Sequence, residues 1–133
     1  MTRPQCQASL FKISHHGSVT ADHSQVWSLM LKPEPLAALT PFAAGNVFLP
    51  TKVDIDRIYT KTKISFLTGI PKLQVTKGRF KLVEKQIKEM GVKIRQVHFS
   101  IGQVRTRGSF IDYNLNWTVE LFGGAVPLNE IYQ

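Results

Sequence analysis

Three imidazoles and one carboxylate fall within nine residues of this chain: His15, His16, Asp22 and His23. Neutral imidazole is the commonest protein metal ligand, and a carboxylate completes or orients such a set. A catalytic zinc needs three protein ligands and an open position for water, whose pKa it lowers toward ~7. The chemistry to weigh first is therefore metal-assisted hydrolysis. If a strand ran on through them, His15 and His16 would point to opposite sides, so at most one faces a shared metal unless the turn has already begun. The competing reading packs one histidine under the turn and leaves the other solvated. His23 suits a surface or capping position. A small local site made by His15 or His16 with Asp22 and His23 is the remaining geometry. His98, alternating with Val97 and Phe99, reads as a strand-surface histidine.

Strand, ligand-grade side chains, tight turn and helix start follow one another here, as they do where α/β folds present ligands at the carboxyl end of a strand. Leu10, Phe11 and Ile13 predict a buried strand over residues 8–14, and Gly17-Ser18 lets the chain turn. Asp22 with Gln25 resembles a capping box, and Val26, Trp27, Met30 and Leu31 recur at helical spacing until Pro33 and Pro35 close the helix. A short strand follows over residues 36–40, then a loop over residues 42–50. Thr51 caps a second helix reaching about Thr62, with Ile55, Ile58 and Tyr59 as its inward stripe. Residues 64–67 read as a strand. Phe80, Val83, Ile87 and Met90 predict a third helix stopped by Gly91, with Glu84 and Lys88 paired on its surface. Residues 92–101, 103–107 and 117–122 read as strands, with Gly108-Ser109 and residues 112–114 as turns. The organisation expected is a flexible end over residues 1–7 and a single α/β domain over residues 8–133.

The chain has 133 residues, 43% of them hydrophobic, enough for one small core. Its net charge of +8 is uneven: residues 1–62 carry six basic and four acidic side chains, residues 63–133 eleven and five. Cys6 is the only cysteine, which rules out an intrachain disulfide and a cysteine-rich zinc site and makes a reducing cytoplasmic setting the expectation. The first nine residues lack the apolar core of a signal peptide, and no apolar run approaches a membrane span. No Gly-x-Ser-x-Gly elbow, phosphate-cradling glycine loop or dinucleotide fingerprint occurs.

The run KISHHGS at residues 12–18 resembles the HHGS motif of the metallo-β-lactamase superfamily, nearest the metallohydrolases related to the hydrolase domain of the bacterial DNA-uptake channel. The likeness extends through Asp22-His23 with Val26-Trp27, Leu39-Thr40-Pro41-Phe42, Leu49-Pro50-Thr51 with Asp54 to Ile58, and the closing segments around Gly102 to Arg107 and Trp117 to Gly123. It implies an αββα sandwich of two similar halves with zinc or manganese between the sheets, hydrolysing esters, lactams or phosphodiesters. His15 or His16 would be a metal ligand and the other would support it, with Gly17, Ser18, Asp22 and His23 shaping the turn around them.

The family's His-x-His-x-Asp-His ligand loop has no counterpart in residues 1–133. The chain therefore resembles the carboxyl-terminal half of the fold, a mixed sheet with helices on one face. It is expected to be inactive alone and to be completed by a separate chain carrying the other half, or to self-associate through its uncovered apolar sheet face. The alternative is a non-enzymatic basic module. Residues 63–95 hold nine basic and two acidic side chains, with Phe66 and Phe80 interleaved. In that reading Lys72, Lys77, Arg79, Lys81, Lys85 and Lys88 face a nucleic acid or another polyanion.

Overall fold

The computed structural model describes residues 6–70, 81–92 and 100–131. Among these, the central element is a four-stranded sheet of order β1-β2-β5-β8, built from β1 (Ala8–Lys12), β2 (Leu31–Leu39), β5 (Ser65–Leu67) and β8 (Val126–Pro127). The first three strands are mutually parallel, while β8 runs antiparallel to β5, with Leu67 opposite Val126. The chain is thus α/β with a mixed sheet.

Helix α1 (Lys52–Lys61) makes the crossover between β2 and β5. Its start is encoded locally. The Thr51 hydroxyl accepts from the Asp54 backbone N–H at 3.2 Å, and the Asp54 carboxylate accepts from the Thr51 N–H at 3.0 Å, a reciprocal capping box. Ile55 and Ile58 face the sheet and join Ile13, Ala37, Leu39, Leu67 and Leu128 in the core, with Phe11 and Trp27 packed at its margin. The expected inward stripe is present, although Tyr59 is only half-buried.

Several local expectations need correction. The segment after the histidines is not one amphipathic helix. It forms 3₁₀ turns at His15–Gly17 and Val19–Ala21 and a short π-helical turn at Val26–Met30, and Leu31 already belongs to β2. Pro33 and Pro35 do not terminate a helix; they lie inside β2. They are tolerated because Ala8 pairs with Leu31 and Leu10 with Leu36, so residues 32–35 bulge out opposite Ser9 and need no ladder donors. Residues 42–50 are not a plain loop but contain a hairpin, β3 (Phe42–Ala44) against β4 (Val47–Leu49), turned at Gly45 and Asn46.

The last strands are longer than predicted. β6 (Gly102–Ile111) and β7 (Asn114–Gly123) form one continuous hairpin, and Gly108-Ser109 is paired within β6 opposite Trp117 and Asn116 rather than forming a turn. The turn sits at Asp112 and Tyr113, both at positive φ (49° and 62°). This hairpin lies over the sheet face that the core leaves free. Trp117 Nε1 donates to Ser9 Oγ at 3.2 Å, and Leu36 on that face is only 2% exposed. The face expected to be bare is therefore partly covered from within the chain, although Leu10 remains 39% exposed.

Helix α2 (Lys81–Glu89) occurs where expected, and Gly91 at φ 66° follows its end. It buries none of its residues, and Val83 and Met90 stay exposed. The ion pair at i,i+4 is Lys85–Glu89 at 3.9 Å. The predicted strand over residues 92–101 lies mostly outside the described residues, as do His98, Phe80 and residues 1–5 of the expected flexible end.

Candidate functional site

Beyond β1 the backbone turns at once, and that decides where the histidines go. Ile13 still bonds through its N–H to the Ala38 carbonyl at 2.9 Å, but His15, His16 and Gly17 are all at positive φ (46°, 57° and 83°). Consecutive side-chain-bearing residues in that region are strained and persist only when neighbours fix them. Here the fixing is visible. Gly17 N–H donates to Ser14 O at 3.0 Å, and Ser18 N–H donates to His15 O at 3.0 Å. Gly17 is also pressed against the core, since a Cβ there would stand 2.9 Å from Leu39 Cδ1 and 3.1 Å from Ile58 Cδ1. Because the strand has ended, His15 and His16 are not on opposite faces. Both line one cleft of about 570 Å³ with Lys12, Ser14, Thr40 and Phe42.

The two imidazoles differ in support. His15 is exposed. His16 is half-buried, stacked at a tilt on Phe42 with ring centroids 5.1 Å apart, and its Nδ1 lies 2.9 Å from the Thr40 carbonyl oxygen. A carbonyl only accepts, so Nδ1 carries the proton in that bond. In the neutral ring Nε2 is then the unprotonated nitrogen. This is the arrangement in which a backbone carbonyl sets the tautomer and orientation of a metal-binding histidine.

Asp22 goes elsewhere. Its carboxylate accepts from Trp27 Nε1 at 2.7 Å, Lys61 Nζ at 2.7 Å and Arg57 Nη1. Arg57 in turn donates to Asp54 Oδ1 at 3.1 Å and to the Gly17 carbonyl, so one guanidinium ties the histidine turn to α1. Burial alone would raise the Asp22 carboxyl, but the hydrogen bonds from Lys61, Trp27 and Arg57 outweigh it and hold it below the ordinary aspartate range. Asp54 is lowered likewise: burial opposes, while the Thr51 hydroxyl, the Thr51 N–H and Arg57 prevail. His23 is exposed beside Asp22 at a smaller recess shared with Trp27 and Arg57. Ser18 accepts from the Thr20 N–H at 3.4 Å and opens the next turn.

Among the described residues no group of three or more His, Cys, Asp or Glu side chains is placed to hold a metal ion. The expected ligand pair is thus at the cleft, with Asp22 and His23 apart from it. Arg57 and Thr40, which hold the turn and the His16 ring, were not singled out from the sequence. Arg57 shows only an i,i+3 pairing with Asp54, and a backbone carbonyl leaves no mark in a sequence at all. Of the basic candidates, Lys81, Lys85 and Lys88 are exposed on α2, and Lys72, Lys77 and Arg79 lie outside the described residues. No described helix is long and apolar enough to cross a membrane.

Comparison with known proteins finds no matching family model, no matching curated protein and no matching solved structure.

Proposed function

We propose that this chain supplies the HHGS-bearing portion of a metallo-β-lactamase-like metallohydrolase, with His16 as its metal ligand and His15 beside it. The observation that carries the reading is the 2.9 Å bond from His16 Nδ1 to the Thr40 carbonyl, which leaves Nε2 as the ring's free nitrogen at an open cleft. The mixed sheet with α1 on one face is compatible with half of an αββα sandwich. A zinc or manganese ion in a complete site would activate water for ester or phosphodiester hydrolysis. The described residues offer one oriented imidazole where a catalytic zinc needs three protein ligands. Hydrolysis therefore does not follow from them alone, and a separate chain or a second copy would have to complete the site.

Zinc titration followed by ring-nitrogen NMR tests this. The His16 ring should show the Nδ1–H tautomer before metal, and its Nε2 resonance should move first on adding zinc. Binding should be weak, with His16→Ala abolishing it and His15→Ala leaving it measurable. Zinc that perturbs neither ring would remove the metal reading. Stoichiometric zinc with phosphodiester turnover by the isolated monomer would show instead that this chain holds a whole site.

A further inference from the structure

The histidine cleft adjoins a second hollow of different character. Lys12 and Thr40 line both. On the cleft side, Lys12 stands with Ser14, His15 and Thr20, and among the described residues no acidic side chain lines the space. On the other side lies a recess of about 250 Å³ walled by Leu10 and Ala38 from the sheet, by Thr68 just beyond β5, and by Val104 and Thr106 from β6. That recess exists because the long hairpin crosses the sheet face, held there by Trp117 on Ser9. Its walls come from segments far apart in sequence, so it is formed by the fold rather than by one loop.

We infer that cleft and recess form one composite site for an amphipathic anion: a phosphate or carboxylate head among Lys12, Ser14 and His15, and a short apolar chain against Leu10, Ala38 and Val104. A cationic ammonium with hydroxyl and imidazole donors, with no carboxylate among the described lining residues, is what an anionic head requires. A concave apolar wall with a few convergent polar groups is what a small ligand requires. The recess gives the chain somewhere to leave water. The inference rests on the histidine cleft being the functional site, but it needs no metal.

Calorimetric titration in the presence of a chelator separates it from the metal reading. The probes are inorganic phosphate, butyl, hexyl and octyl phosphate, and octanoate. Affinity should rise about fourfold for each methylene that enters the recess, the factor equivalent to ~0.8 kcal/mol, and then level off once it is full. Thr106→Trp, which fills the recess, should return the alkyl phosphates to the affinity of inorganic phosphate without changing the latter. Val104→Phe serves the same purpose if the first variant does not fold. Lys12→Met should weaken every anion about tenfold, in line with the loss of one charge-assisted bond. Octyl phosphate against octanoate identifies the preferred head, and tighter binding of either over inorganic phosphate supports the site. Affinity independent of chain length, or equal loss of all probes in a folded Thr106→Trp, would overturn it.

Discussion

Between Asp22 and Asp54 the guanidinium of Arg57 meets two largely buried carboxylates, and it still spends an N–H on the Gly17 carbonyl. Its side chain is 20% exposed, so the pairs are only modestly screened. Removing one partner of such a set leaves charge buried without its counterion, the costly way to break an ion pair. Arg57→Met should therefore lower unfolding free energy by about 3 kcal/mol, read as a lower urea midpoint. Arg57→Lys keeps the charge but loses the planar fork and should recover only part of that. Of this arrangement the sequence showed the histidines, Gly17 and Asp22, but not Arg57. The link from Arg57 to Asp22 and Gly17 spans separate turns of the chain, and spacing rules do not reach that far. Which of His15 and His16 has its ring held by the backbone was likewise unreadable, because that bond runs to the Thr40 carbonyl and a carbonyl leaves no mark in a sequence.

Among the elements, legibility tracks how local the cause is. Helix α1 was readable from Thr51, Asp54 and the Ile55–Ile58 stripe, since its cap and its periodicity both lie within the segment. The segment around Trp27 was misread because the same apolar spacing serves a short turn once Leu31 is drawn into pairing with Ala8. The hairpin of β3 and β4 escaped because three-residue strands carry too little alternation to recognise. The extent of β6 was hidden by Gly108-Ser109, a turn-like pair that tolerates an interior position under the Trp117 ring. The true turn residues, Asp112 and Tyr113, adopt the two positive φ values typical of a type I′ turn, which favours glycine second. Tyr113 is fully exposed, so its side chain gives little in return. Tyr113→Gly should stabilise the hairpin by about 1 kcal/mol, seen as slower amide exchange across β6 and β7.

For the molecule as a whole, the two lowered carboxyls set an acid limit. Asp22 and Asp54 have folded pKa values below their ordinary 3.8, so the unfolded chain takes up protons first as pH falls. The stability they contribute is complete above about pH 5 and is lost progressively as pH drops through 3.8 toward the lowered folded values. Urea midpoints should accordingly be flat from pH 7 to about 5 and fall below it, with a shallower fall in Arg57→Met.

Leu128 is fully buried against α1 and β5, and β8 just before it forms the outer edge of the sheet beside β5. During synthesis the earlier core residues thus leave the ribosome with one wall missing. A chain stopped short of residue 128 would leave Ile58 and Leu67 without that wall. Closure of this core thus depends on one leucine that follows its other fully buried members in sequence.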